Sequence, residues 1–279
     1  MTDIYQAPKA SLFEHIDTNS AQYGSIEAGL RGDYELSIGA IFTEAWARTK
    51  GAKTKIWLGL LLCWVINTAI SFGAQMFMAV FIGLGAVAFD DPMLQAVVPA
   101  VLSFLTIAVM FFATAPLMVG LLMLGVRRAV DAPLHATSVV NYFGKILRIG
   151  GTYLLSTLLI WLSLLLFILP AIYLGIAYFM ATLVAAEKDM PVWQAMETSR
   201  KITTKKWFSF FGIFILLMLC YLALFLPGMV AIVASTPWYV ITLAFFAGFI
   251  GLLWFLPFAV VTIGVMYRNM FGCEPASAQ

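Results

Sequence analysis

Charge is what this sequence has least of. Only 11% of its 279 residues are Asp, Glu, Lys or Arg, against 62% hydrophobic residues, and a soluble domain of this length needs a far more charged surface. Histidine is confined to His15 and His135, far apart in sequence, which leaves a metal site or a Ser/His/Asp arrangement without visible parts. The three cysteines, Cys63, Cys220 and Cys273, form no CxxC pair and no ligand-spaced cluster. That argues against a disulfide framework and makes them small apolar packing residues. The opening residues carry Asp3, Lys9, Glu14, Asp17, Glu27, Arg31, Asp33 and Glu35 and show no apolar core of a signal peptide, so the first span is expected to serve as targeting signal too.

What is there is apolar sequence in long runs. Residues 56–89, 93–126, 151–186 and 207–267 contain no Asp, Glu, Lys or Arg. A hydrocarbon core of ~30 Å takes about 20 helical residues. The first two runs therefore hold one span each, and the last crosses twice with Ser235-Thr236-Pro237-Trp238 as its turn. The run 151–186 reads as one kinked helix or two short ones, and the distribution of cations decides. One crossing separates Lys188, Arg200, Lys201, Lys205 and Lys206 from Arg127, Arg128, Lys145 and Arg148. Two crossings put all 16 Lys and Arg on one side and leave Asp90 and Asp91 on the other.

The fold class that follows is all-α integral membrane, with six transmembrane helices arranged as three hairpins, the central one short. The spans are placed at about 56–88, 94–126, 151–169, 171–186, 207–233 and 238–267. A polar cytoplasmic tail occupies 1–35, the membrane domain 36–272 and a second cytoplasmic tail 273–279. Pro170 suits the first turn of the second short leg, where its missing N–H costs nothing. That turn is expected at or below the outer surface, covered by longer neighbouring helices, since bare backbone is not left facing lipid.

A similar segment precedes each hairpin. Ile38, Ile41, Phe42, Ala45 and Trp46 repeat at i, i+3, i+4, i+7 and i+8, as do Val139, Tyr142, Phe143, Ile146 and Leu147. Val192, Ala195, Met196 and Ser199 follow more weakly. Each reads as a cytoplasmic amphipathic helix at the headgroup level, with Ser37, Ser138 and the pair Asp189/Pro191 as starts. Glu44/Arg48 and Glu197/Lys201 are i, i+4 pairs on the outward faces. The basic faces suit anionic lipid, or a cytoplasmic partner.

None of the six proposed spans contains an ionisable residue of the kind that marks ion or proton pathways. Their polar residues, Asn67, Gln75, Thr106, Thr114, Ser156, Ser163, Ser209 and Thr242 among them, read as hydrogen bonds between helices. Ala244/Gly248 and Ala247/Gly251 read as close packing within the bundle or between subunits. Pro116, Pro170, Pro227 and Pro257 interrupt or border apolar segments, either lining a cavity, as in transporters with broken helices, or simply shaping the helices.

The stretch "LLLFILPAIYLGIAYFMATLVAAEKDMPVWQAMETSRKITTKKWFSFFGIF", residues 164–214, with "RRAVDAPLHATSVVNYFGKIL" upstream, resembles the YciC-type bacterial inner-membrane proteins. The matching positions are Pro170, Ala171, Glu187, Lys188, Ala195, Ser199 and Arg200, and the likeness extends over about 120–270. A related pattern occurs in the membrane domain fused to some glycerophosphodiester phosphodiesterases. The resemblance implies six spans and an inner-membrane role linked to envelope homeostasis.

Together these readings give a non-enzymatic multi-pass protein of the bacterial inner membrane, both termini cytoplasmic, that supports envelope homeostasis through lipid or membrane-protein interactions. The alternative is a carrier or flippase for a lipid-like or uncharged hydrophobic molecule. The expected partners are membrane lipids and, as further candidates, another inner-membrane protein or a second copy of the chain. Neither nucleic acid nor a cofactor, metal or catalytic residue is expected. The candidate contacts for lipid or partner are Pro170, Ala171, Trp46, Phe143, Arg148, Arg200, Lys201, Lys205 and Lys206.

Overall fold

The computed structural model describes residues 23–88 and 91–273. Asp90 and most of the two tails expected at 1–35 and 273–279 lie outside them. The described residues contain no strand. In chain order they form α1 (Ile26–Arg31), α2 (Ile38–Thr49), α3 (Lys53–Ala88), α4 (Pro92–Ala129), a 3₁₀ helix (Ala136–Lys145), α5 (Ile146–Leu166), α6 (Ile168–Ala177), α7 (Ala181–Glu187), α8 (Val192–Lys205), α9 (Trp207–Val233) and α10 (Trp238–Phe271). Six stretches are long and apolar enough to cross a membrane: Lys53–Leu84, Pro92–Ala129, Ala136–Leu166, Ile168–Glu187, Trp207–Val233 and Trp238–Phe271. The chain is a multi-pass membrane protein.

Local chemistry starts and stops the long helices where turn residues stand. The Asp91 side chain accepts the Met93 N–H at 2.8 Å and Pro92 takes the first position of α4, satisfying one orphan donor and removing another. Between α9 and α10 the Thr236 hydroxyl donates to the Ala231 carbonyl at 3.0 Å, and Pro237 caps α10. The polar side chains within the apolar helices mostly serve their own helix. Ser103, Thr106, Ser163 and Thr242 donate to the carbonyl one turn earlier, the back-bonding that lets a hydroxyl sit in an apolar setting without a partner helix. The Thr114 hydroxyl does reach a second helix, donating to the Asn67 side chain at 3.2 Å.

Burial is concentrated at one end. α4 is largely exposed from Met93 to Val109 and buried from Ala113 onward, and α10 changes in the same way between Trp254 and Pro257. The starts of α3 and α9 and nearly all of α7 and the inner face of α8 join the ends of α4 and α10 in one contiguous core. This end is the base; the exposed apolar stretches are legs. Beyond the Asn67–Thr114 bond, α3 and α4 each continue for about 20 residues, roughly 30 Å at 1.5 Å per residue, the thickness of a hydrocarbon core.

Glycine brings the base together. A Cβ on Gly264 would collide with the backbone of Gly125 and Val126, and one on Gly125 with the Val260 carbonyl, so α4 and α10 meet backbone to backbone. Gly120 admits the 3₁₀ helix at Val139 in the same way. Gly248 and Gly251 lie against Leu224 and Phe225 of α9, so the small-residue spacing in α10 serves packing within the chain. Pro116 and Pro257 are buried inside α4 and α10.

Four expectations are corrected. First, the amphipathic helix expected after Ser138, with its pattern from Val139 to Leu147, is 3₁₀ over Ala136–Lys145, and Leu147 is exposed within α5. Thr137, Val139, Val140, Asn141 and Gly144 are weak α-formers, and the slimmer 3₁₀ form lines up Val139 and Tyr142 on the face that meets α4. Second, His135 precedes that helix, whereas Ser138 lies inside it and donates to the His135 carbonyl at 2.8 Å. Third, the described part of the expected tail, residues 23–35, is packed on the base: Tyr34 is buried, and a Cβ on Gly24 would meet the Asn269 backbone.

The fourth concerns the central pair of helices. The break falls at Phe167, extended at φ −159° and ψ 147°, and Pro170 sits in the first turn of α6. The tip is uncovered: Leu165 is 83% exposed and Leu169 77%. Nor does it lie apart from the cations. α8 runs beside the pair, with the Ser199 hydroxyl donating to the Ala177 carbonyl at 2.7 Å and the Tyr173 and Thr204 hydroxyls 2.8 Å apart, and Leu169 shares a groove with Lys205 and Lys206.

Gly264→Val should lower the stability of the purified protein by about 3 kcal/mol or more, since backbone contact leaves nothing to repack. Gly73→Ala, at a position with nothing within 4 Å, should leave it unchanged or slightly raised. Thermal unfolding in detergent compares the two.

Candidate functional site

Ion clusters, a polar pocket and a partly apolar groove occupy the base. Arg268, in the last turn of α10, has a side chain only 8% exposed. Its Nη1 donates to Glu44 Oε1 at 2.6 Å and to the Ala129 carbonyl at 2.8 Å, and its Nη2 to Glu44 Oε2 at 2.9 Å. Arg48 Nε donates to the same Glu44 oxygen at 2.6 Å, and Arg48 Nη1 reaches Asp131 at 2.6 Å. Burial alone would raise the Glu44 carboxyl, but the hydrogen bonds and charges of Arg268 and Arg48 outweigh it and hold the group below the ordinary glutamate range. The Glu44/Arg48 pair, read from the sequence as an outward surface pair, is an internal cross-link of α2, α4 and α10. Beside it opens a polar pocket of about 520 Å³ lined by Tyr34, Glu35, Ser37, Glu44, Arg268 and Asn269 among others.

The second cluster lies where α5 begins. Asp189, at φ 51°, accepts from Lys145 at 2.8 Å and Arg148 at 2.6 Å, and Lys145 also donates to the Ala186 carbonyl at 2.8 Å. The Lys145 hydrogen bond is the main reason that the Asp189 carboxyl lies below its ordinary range. On α8, Glu197 accepts from Arg200 at 2.7 and 2.9 Å and lies 3.5 Å from Lys201. The Arg200 hydrogen bond holds Glu197 low, and the same bond raises Arg200.

The groove, of about 770 Å³, runs between the start of α6 and the α8–α9 junction. Leu169, Ile172 and Phe208 give it apolar walls, and Tyr173, Thr204 and Lys205 a polar rim. Thr204 donates to the Arg200 carbonyl at 2.7 Å, so the Tyr173 hydroxyl is the donor in its 2.8 Å bond to Thr204. Tyr173 and Trp207 stack at 6.4 Å, and Trp207 lies flat on Phe211 at 4.9 Å. Lys206 donates to the Tyr34 carbonyl and sits 5.0 Å over the Tyr34 ring. The Tyr34 hydroxyl donates to the Ile202 carbonyl at 2.8 Å, and burial pushes it up to about 12. Among the described residues no carboxylate pairs with Lys205 or Lys206.

The structure thus gathers part of the expected set. Lys205 and Lys206 meet the first turn of α6 that holds Pro170; Ala171 is turned into the protein at 7% exposure. Arg200 and Lys201 are one turn away, tied to Glu197, and Arg148 is tied to Asp189. Trp46 lies elsewhere, its ring edge on Phe258 at 5.8 Å, and Phe143 is half-buried in the 3₁₀ helix. Tyr34, Glu44, Tyr173, Thr204 and Arg268 were not singled out as contacts. Arg268 follows Tyr267 directly and reads as an ordinary cation after a span; its burial depends on α2 folding back over the end of α10. Comparison with models of protein families, with curated proteins and with solved structures finds no match in any of the three.

Glu44→Gln leaves the buried Arg268 guanidinium facing a neutral amide and should cost about 2–3 kcal/mol, toward the lower range for a broken buried pair. A carboxyl held low in the folded state contributes stability that is present above its unfolded value and lost as pH falls through the folded one. Acidification through and below about pH 4 should therefore lower the melting temperature less in Glu44→Gln than in the parent. Melting curves across that range test both effects.

Proposed function

We propose that this chain is a non-enzymatic protein of the bacterial inner membrane, with its base and both termini in the cytoplasm, that supports the envelope by engaging lipid or another membrane protein. The observation that carries the reading is the division of the molecule into exposed apolar legs and a charged, densely packed base. Legs with so much apolar surface belong in lipid, and a base bearing Lys50, Lys53, Lys55, Lys205 and Lys206, which have no carboxylate partner among the described residues, belongs on the side where membrane proteins keep their cations. Glu44, Asp131, Asp189 and Glu197 are each taken up by arginine or lysine, a use of charge that holds helices together. The resemblance of residues 164–214 to YciC-type proteins supports the envelope role.

Two experiments test this reading. A reporter active only in the cytoplasm, fused after Gln279, should be active, and a periplasm-dependent one silent; the reverse would place the base outside. In liposomes, the purified protein should leave the rate of labelled-lipid exchange between leaflets at the protein-free level. Acceleration abolished by a substitution in the groove would replace the supporting role with that of a lipid carrier.

A further inference from the structure

We propose that the groove between α6 and the α8–α9 junction is a binding site for an anionic phospholipid of the leaflet on the basic side, and that the α5–α6 tip enters that leaflet without reaching the opposite surface. The proposal rests on the membrane reading above and deepens it, naming the ligand and where it sits.

The depth of the tip follows from short distances. α8 carries Glu197, Arg200, Lys201 and Lys205 and cannot lie in hydrocarbon. Tyr173 is hydrogen-bonded to Thr204 near the end of α8, so Tyr173 lies at the headgroup level or within a lysine's reach of it. From Tyr173 back to the break at Phe167 the chain covers roughly 9 Å at helical rise. Half of a ~30 Å hydrocarbon core is about 15 Å, so the tip stays in the near half. Backbone satisfaction points the same way. The Phe167 N–H is satisfied by the Ser163 carbonyl at 2.8 Å, but the amides of Ile168 and Leu169, in the first turn of α6, have no carbonyl of their own helix one turn earlier. With the tip uncovered, those groups need water or headgroups close by, and irregular backbone is not left bare in the hydrocarbon centre.

Charge and shape then select the ligand. Leu169 and Phe208, 77% and 84% exposed, continue the apolar surface of the tip into the groove, which suits an acyl chain. Lys205 stands at the rim with its stem against Gly32, and among the described residues no carboxylate pairs with it. The Tyr173 and Thr204 hydroxyls have their protons committed, and the Lys205 ammonium is a charged donor without a carboxylate among the described residues, which favours a negatively charged headgroup. Lys201 faces Glu197 outside the groove and provides an internal control.

The test uses the full chain in detergent and reads binding of short-chain phosphatidylglycerol against phosphatidylcholine by native mass spectrometry. Phosphatidylglycerol should bind preferentially. Lys205→Glu, an exposed residue whose change breaks no ion pair, should weaken it on the order of tenfold, and Lys201→Glu should leave it unchanged. Preference for the anionic lipid with no effect of Lys205→Glu, or with equal effects of both variants, would remove the groove as the site while the membrane reading stands. No preference for the anionic lipid would overturn the proposed site, while the reporter fusion decides the membrane reading separately. For the tip, a single cysteine in place of Phe167, with Cys63, Cys220 and Cys273 replaced, is exposed to an impermeant maleimide in vesicles of known sidedness. Labelling from the basic side, or from neither side, fits a tip held in the near leaflet; labelling from the side of Asp91 overturns it.

Discussion

Gly125 and Gly264 let α4 and α10 touch through their backbones, and the rest of the base is arranged around that contact. Without side chains between them, the two helices bring their last turns close enough for Arg268 to reach the Ala129 carbonyl. The same arginine then holds Glu44, which fixes α2 across the end of both helices, and Arg48 carries the connection on to Asp131 beyond α4. A buried ion pair is seldom a gain in itself, because desolvation offsets attraction. Its use here is geometric: the bidentate guanidinium accepts one orientation of α2, and the apolar packing of Ile41 and Ala45 supplies the stabilisation.

The legs are organised on a different principle. In lipid there is no hydrophobic gain in pressing two apolar helices together, and most residues of α3 and α4 are exposed above the Asn67–Thr114 bond. Hydroxyls that bond back to their own helices impose no partner. The base resembles the interior of a soluble domain, whereas the legs turn most of their surface outward, those of α9 and α10 meeting where Gly248 and Gly251 lie against Leu224 and Phe225.

This division explains what was legible in the sequence. The apolar runs, the turns at Asp91-Pro92 and Thr236-Pro237 and the place of Pro170 in a first turn are local properties, and hydropathy and turn chemistry record them. Burial at the base is a matter of which faces meet. Glu44 followed by Arg48 is spelled the same whether the pair faces water or a buried Arg268, and Gly125 and Gly264 look like any glycines in apolar sequence. The counting of cations has a similar limit, since it registers whether a pair of helices begins and ends on one side and carries no information on how deep the turn between them goes. Nothing at Leu165–Leu169 in the sequence signals that Lys205 stands nearby.

The order in which α10 follows the other helices of the base has a consequence for synthesis. Residues 257–271 provide the wall against which α2 and α4 are buried, and both of those helices are translated earlier. Until α10 has entered the membrane, Gly125 has no partner backbone and Glu44 no buried guanidinium, so the apolar faces of the base wait exposed beside the ribosome. Assembly of the base in that sense waits on α10, and a ribosome that stalls before Pro257 leaves legs already in lipid beneath an unfinished base.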